Sequence, residues 1–425
     1  MSTGASPFDT RDRDHRMPHV RATPPTVPVD QVVRLWLHLQ GLAMPLSGRT
    51  LTAESFTDHL ERTGGLQVDT LNVVDRAHYL TLWSRYGSYD RALVDDWVHR
   101  DRIAFEYWAH EASILPIAHL PLGRRRMLAF PPRGWLRQSW WQRYQTSAAS
   151  KRRVLGRLRR EGPLESAAFA ADPDEWRGVE RPGGNYPMAK EDGRSLKLLW
   201  HAGRVAICGR RHFRCVYDLF ERVHPAVKPV SPAAYEDSWL LGALGAQGIA
   251  SERHLAGYFT AHDLDAGGRR RVISRNLRRG KVVEVRVAGR REPFYALPEH
   301  LDGLGASPEP GGTTLVCPFD SLLWQRRRAE DLLDFRFRVE LYTPAARREF
   351  GHYVMPILHG GRLVGRLDPK FHRERSELEI RAVRLEPGRR RDEGLARGLA
   401  AALRSLGEFV GARRIVLPRG WRGLA

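Results

Sequence analysis

Arg204-Val205-Ala206-Ile207-Cys208-Gly209-Arg210-Arg211-His212-Phe213-Arg214-Cys215-Val216-Tyr217 decides the fold. It contains two apolar-alternating runs, 204–208 and 212–217, joined by Gly209-Arg210-Arg211. Short β-type runs around a few Gly-containing residues read as a hairpin. Further on, 281–287 and 292–297 flank Ala288-Gly289-Arg290-Arg291 in the same way. Three helical patterns precede each hairpin. They lie at 147–161, 163–169 and 194–201 before the first, and at 232–244, 251–260 and 266–280 before the second. Three helices and a hairpin make a winged helix, a helix-turn-helix variant that presents one helix to a DNA groove. A unit that occurs twice sets the architecture of the whole chain.

Outward from these units the pattern is weaker. Residues 1–28 are polar, charged and Pro-rich, and are expected to be a disordered tail. Helical runs at 29–39, 52–63, 76–86 and 92–100, a strand at 66–74 and an aromatic stretch at 103–118 suggest a third, diverged copy of the unit. After a linker at 308–312 the period changes to two. Runs at 313–317, 335–341, 353–358, 362–367 and 377–384 read as five short strands of a small barrel or sandwich, followed by a helix at 392–410. The fold expected is α+β. It has a tail (1–28), three tandem winged-helix domains (29–146, 147–230 and 231–300), a small β-barrel (313–390) and a C-terminal helix with its tail (391–425).

Charge points to the partner. The 425 residues include 69 Lys and Arg against 49 Asp and Glu, a net charge of +20. Such a surplus favours a polyanion, most often nucleic acid. A run of about 20 apolar residues, as a membrane helix needs, is absent, and so is the apolar core of a signal peptide. The three cysteines, Cys208, Cys215 and Cys317, form no CxxC pair. Cys208 and Cys215 could sit near each other across the first hairpin, where a disulfide is possible, yet reduced packing residues are expected. The 17 histidines show no metal-ligand spacing, and no phosphate-binding glycine loop occurs, so neither a metal nor a cofactor is expected.

The densest basic element is the third helix of the second unit, with Arg269, Arg270, Arg271, Arg275, Arg278 and Arg279. The residues expected on DNA are Arg271, Arg275 and Arg278 on that helix, with Arg210, Arg211, Arg290 and Arg291 on the hairpins. Trp140 and Trp141 are read as packing residues before base-stacking ones. In the first long helix, His38 and Gln40 are polar among apolar neighbours. Residues two apart do not share a helix face, but both can line one pocket if the helix stops at Gly41. From the residues alone, a capping His and a surface Gln are the simpler reading.

Several short motifs occur in order: Leu37-His38-Leu39-Gln40-Gly41-Leu42, Phe105-Glu106-Tyr107-Trp108-Ala109-His110-Glu111-Ala112, Tyr217-Asp218-Leu219, Glu221-Arg222-Val223, Pro318-Phe319-Asp320-Ser321-Leu322-Leu323-Trp324 and Tyr353-Val354-Met355-Pro356-Ile357-Leu358-His359-Gly360. Together they resemble the bacterial crosslink-repair DNA glycosylases of the YcaQ/AlkZ type, across about residues 29–410. The resemblance implies tandem winged helices and a β-barrel around a basic DNA channel. It also implies a catalytic pair of polar residues flanking an apolar one, here His38-Leu39-Gln40 in place of the usual Gln-apolar-Gln or Gln-apolar-Asp. On this resemblance, the chain is expected to hydrolyse the N-glycosidic bond of N7-alkylated purines, including bulky adducts and interstrand crosslinks. Gln40 would orient the water at C1′, with His38 orienting or deprotonating it. With no lysine beside the motif, a monofunctional glycosylase is expected. The protein should be a monomer, cytoplasmic and nucleoid-associated, acting on double-stranded DNA away from any membrane. The alternative is a non-enzymatic winged-helix DNA-binding protein such as a transcriptional regulator.

Overall fold

The structure is a computed structural model and describes residues 23–46, 48–169, 191–341 and 343–424. Residues 1–22 of the expected tail lie outside them. Thr26–Val27, expected in the same tail, instead form strand β1, and Val29–Leu39 form helix α1.

A first unit then runs α2 (Ala53–Thr63), β2 (Leu66–Gln67), α3 (Ala77–Tyr86), α4 (Arg91–His99), β3 (Ala104–Ala109) and β4 (Glu111–Pro116). Thr52 caps α2, accepting from the backbone N–H of Ser55, whose hydroxyl in turn accepts from the Thr52 N–H. Such reciprocal bonds satisfy two otherwise orphaned donors. A connector follows with α5 (Leu120–Leu128), α6 (Arg133–Leu136) and α7 (Ser139–Tyr144).

The second unit runs α8 (Ala148–Glu161), β5 (Leu164–Glu165), a 3₁₀ turn at Ser166–Phe169, α9 (Glu191–His201), β6 (Val205–Arg211) and β7 (Arg214–Leu219), closed by α10 (Phe220–Val223). The third has α11 (Pro232–Gln247), β8 (Ala250–Ser251), α12 (Glu252–Ala256), α13 (Ala266–Arg278), β9 (Val283–Val287) and β10 (Phe294–Ala296), then α14 (Pro298–Asp302). Each unit orders its own three strands first–third–second: β2-β4-β3, β5-β7-β6 and β8-β10-β9. One connectivity is therefore used three times. The helix expected at 163–169 is instead a short strand and a 3₁₀ turn, which supplies the first strand of its sheet.

The C-terminal part contains β11 (Thr313–Leu315), α15 (Ser321–Trp324), α16 (Arg326–Leu333), β12 (Met355–His359), β13 (Arg362–His372), β14 (Glu377–Leu385), α17 (Glu393–Val410) and β15 (Arg414–Val416). Its five strands lie in linear order β11-β12-β13-β14-β15, all antiparallel except the last pair. Residues 335–341, expected as a strand, form none, and β15 from beyond α17 is the fifth strand. Phe335 and Phe337 are nonetheless buried. Their alternation records a buried face without a hydrogen-bonded neighbour.

Three apolar cores cross these boundaries. One joins α2–α4 to the C-terminal sheet and α17. A second joins the β3–β4 hairpin to the second unit and to α11–α13. The third packs α1 with β9, β10 and residues around α16, and β1 extends β9 in parallel. The segment expected as one domain, 29–146, is thus divided, because the apolar face of α1 (Val32, Leu35, Trp36) meets the third unit. Among the described residues no helix is long and apolar enough to cross a membrane.

Candidate active site and DNA-facing residues

The end of α1 is shaped locally. The Gln40 N–H bonds the Trp36 carbonyl at 2.9 Å, Gly41 N–H bonds His38 at 2.9 Å, and Leu42 N–H bonds Leu37 at 2.7 Å. Gly41 takes φ +70°, a left-handed conformation that glycine adopts without steric cost. This stop, legible in the sequence, turns the two polar residues of the motif apart. His38 is exposed, whereas Gln40 is fully buried.

Gln40 is the hub of a buried network. Its carboxamide oxygen accepts from the Ser321 hydroxyl at 2.6 Å, and its amide nitrogen donates to the Ala246 carbonyl at 2.8 Å and, more weakly, to the Tyr258 hydroxyl at 3.4 Å. The Gln40 carbonyl accepts from Arg85 Nε at 3.0 Å. Arg85 forms a two-pronged ion pair with Asp320, with Nη2 to Oδ1 at 2.9 Å, and both residues are buried. Asp320 also caps α15, accepting from Leu322 N–H at 3.0 Å. Tyr258 donates to the Thr63 carbonyl at 2.8 Å. Its ring meets Trp324 at 5.2 Å, and Trp324 stacks on His110 at 4.6 Å, 6° from parallel. His110 Nδ1 lies 2.7 Å from the Tyr258 carbonyl, and burial pushes its pKa down to about 4. Three motifs far apart in the chain, at 37–42, 105–112 and 318–324, thus meet around the end of α1.

This geometry gives Gln40, expected to orient the attacking water, a buried place with both ends of its carboxamide bonded. A carboxamide with no exposed surface and both ends bonded to protein does not present itself to an attacking water. Its observed work is to hold α1 to α11, α15 and Tyr258. His38 is the member that faces outward. Loss of hydration, then the charges of Arg62 and Arg49, hold its imidazole below the usual 6.5. At pH 7 it is neutral, with a ring nitrogen able to accept a proton. Sequence reasoning passed over Arg62 and Arg49 because nothing in the spacing of 38, 49 and 62 brings them together.

The predicted DNA-facing arginines divide. Arg210 is bound to Glu106 by both prongs, Nε to Oε1 at 2.8 Å, and donates to the Phe213 carbonyl at 2.9 Å. It lies within strand β6, not in the turn. The turn is His212-Phe213, both at positive φ (47° and 66°), two-residue geometry that matches the twist of the flanking strands. The Phe213 ring has the guanidiniums of Arg76 (3.8 Å) and Arg210 (4.3 Å) against it and lies near parallel to His78 at 6.0 Å. The first hairpin therefore seats its tip on the first unit, and Arg210, expected on DNA, is paired with Glu106 instead of standing free at the tip. Arg211 is 69% exposed, 3.6 Å from Glu165.

On α13, Arg275, expected on DNA, pairs with Asp237 at 2.6 Å and Glu236 at 3.1 Å. Arg271, Ser274 and Arg278 are exposed, and their spacing puts them on one helix face opposite Val272, Ile273 and Asn276. Arg290 folds back to donate to the Asp331 carbonyl. Arg271, Arg278 and Arg291 are exposed and in no ion pair among the described residues. Trp141 is 5% exposed and packs on Phe130, while Trp140 is 40% exposed. All three cysteines are free.

The solved DNA glycosylase AlkZ of Streptomyces sahachiroi matches in fold, with a TM-score of 0.65 at 19% identity, covering 92% of this chain and 99% of that one. The family model for DNA glycosylase AlkZ-like proteins matches residues 60–409. With the family model spanning most of its length, the chain belongs to the AlkZ-like DNA glycosylase family.

Proposed function

We propose that this glycosylase releases N7-alkylated purines, bulky adducts and interstrand crosslinks included, from duplex DNA by water attack at C1′ without cutting the strand. The observation that supports this most is the outward-facing His38 imidazole at the stopped end of α1, one residue from the backbone that the buried Gln40 network anchors. Alkylation at N7 places positive charge on the base, so it departs with little acid assistance. What remains is to orient a water and stabilise an oxocarbenium-like sugar. His38 accepts a hydrogen bond from that water, and Gln40 is the positioning residue beneath it. Arg62 and Arg49, whose charges reach His38, are proposed to meet phosphates flanking the lesion. The three helix-and-small-sheet units are read as winged helices, with α13 as a DNA-facing helix. The protein is proposed to act as a monomer in the cytoplasm, at the nucleoid.

The test is incubation of the purified protein with duplex DNA carrying N7-alkylguanine or a nitrogen-mustard crosslink. Alkali-revealed abasic sites, with no strand cleavage before alkali and no borohydride-trapped protein–DNA adduct, support the reading. Binding without base release would leave a non-enzymatic DNA-binding protein.

Two further results are expected. Base release under single turnover should be flat above about pH 7 and should fall as pH drops through the His38 pKa, which lies below 6.5, because protonation removes the accepting lone pair. The acid limb should vanish in His38→Ala; its persistence there would assign it to another group. Replacing Arg271 and Arg278 together by Ala should weaken DNA binding and flatten the log–log salt dependence by roughly two units, about one per lost phosphate contact. Arg210→Ala should leave that slope unchanged, since its charge is already neutralised by Glu106. Equal slopes for all variants would place α13 away from DNA.

A further inference from the structure

A cleft of about 290 Å³ opens between α2, the β3–β4 hairpin, α5 and α11. Its walls are mainly apolar and aromatic, with Trp108, Tyr235 and Phe259 among them. The room comes from α11, which turns Gly242 and Gly245 toward it, one helical turn apart. A Cβ at Gly245 would meet nothing within 4 Å, whereas one at Gly242 would press on Phe259 at 3.1 Å.

Polar side chains also line it, Glu61, His119, Ser238 and Tyr235 among them, with Arg126 hydrogen-bonded to Tyr235, and two of its polar side chains keep an unpartnered atom. Arg126 has its Nη1 buried with no hydrogen-bond partner among the described residues, and the same is true of His262 Nδ1. Tyr235 stacks on His262 at 4.4 Å and 23°. Burial, then the Arg126 charge, pushes the His262 pKa down to about 3, so its ring is neutral and Arg126 supplies the charge. A buried donor left without an acceptor is costly, by about 1–3 kcal/mol, and an acceptor on a ligand relieves that cost.

The cleft touches the Gln40 network at three places in the chain. Gly245 precedes Ala246, whose carbonyl binds Gln40. Gly64 follows Thr63, whose carbonyl binds Tyr258. Phe259 follows Tyr258 itself.

We infer that this cleft binds a planar aromatic group bearing a carbonyl or carboxylate acceptor, stacked among Trp108, Tyr235 and Phe259 with the acceptor on Arg126. Aromatic walls with a few convergent polar groups are the ordinary make-up of a small-molecule site. The ligand is either the aromatic appendage of an adducted base or a free small molecule of the same chemistry. The first source rests on the base-excision reading above.

The probe is coumarin-3-carboxylate, titrated into the full chain and followed by its fluorescence. Saturable binding is expected. Gly245→Leu, which fills the open space, should weaken it at least tenfold while leaving the melting temperature unchanged or higher. Arg126→Met should weaken the carboxylate at least tenfold and uncharged coumarin less. A second arm compares base release from duplexes carrying N7-methylguanine and an N7-guanine adduct with a planar aromatic appendage. If the appendage is the ligand, Gly245→Leu slows only the aromatic adduct. If both adducts are released as by wild type while probe binding is lost, the cleft serves a free molecule. No probe binding by wild type, or equal binding by both variants, overturns the inference. Failure of wild type to release either base overturns the base-excision reading instead and leaves the probe result standing.

Discussion

Replacing His38 by Ala should lower the single-turnover rate of base release by about 10²–10³-fold while leaving DNA affinity within roughly twofold of wild type. A positioned group that accepts from the attacking water acts only as that water gains nucleophilic character, so its loss appears in the chemical step and not in binding. Because His38 is exposed and outside the buried network, its removal should not shift the unfolding midpoint. Gln40→Ala separates the roles. It leaves Ser321, Tyr258 and the Ala246 carbonyl without their shared partner, so slower excision should come with lower stability. Excision by the His38 variant at the wild-type rate would remove it from the mechanism. Full stability of the Gln40 variant would remove the positioning role.

The largest loss of stability is expected from Asp320→Ala, about 3–5 kcal/mol on the unfolding transition measured in urea. Arg85 is 1% exposed and Asp320 is buried completely. Removing the carboxylate leaves a guanidinium charge that the remaining carbonyl and hydroxyl acceptors, Gln40, Thr81 and Ser84, do not neutralise. The variant also loses the cap of α15, and with it the seat of Ser321 against Gln40. Replacing both partners, Arg85→Met with Asp320→Leu, should recover a large part of the loss, because no charge is then stranded. A single variant no less stable than wild type, or a double variant no better than the single one, would show that the ion pair does not hold the end of α1.

Several elements were legible because their causes are local. Alternating apolar runs located the strands of both basic hairpins, β6–β7 and β9–β10. Gly41 marked the end of α1, and a spacing of two already implied that His38 and Gln40 cannot share a face. The motifs at 37–42, 105–112 and 318–324 named the segments that meet at the site, though not how they meet. The first hairpin shows where local reading stopped. Its glycine pointed to a turn at 209–211, but the pairing shifts between Ile207 and Gly209, and the turn closes at His212-Phe213 because the Phe213 ring is held by Arg76 and His78 of another unit. The strand expected at 335–341 failed likewise, since alternation reports a buried face and not a pairing partner.

Charge and burial were decided only in three dimensions. Arg210 and Arg211 are adjacent and chemically identical, yet one is clamped by Glu106 and the other is exposed. Arg271 and Arg275 stand one turn apart on α13, and only the second meets Asp237. Gln40, a surface residue on the simplest reading of its helix, is buried because Ser321, 281 positions away, arrives to bond it. The sequence by itself determined the repeated helix-and-hairpin units, the stop of α1 and the basic surplus, because turn chemistry, periodicity and net charge act within a few residues or over the whole composition. Which arginines remain free and which polar residue of the motif faces outward were set by the tertiary structure, because a side chain's exposure and electrostatic partners come from whatever segments the fold packs against it.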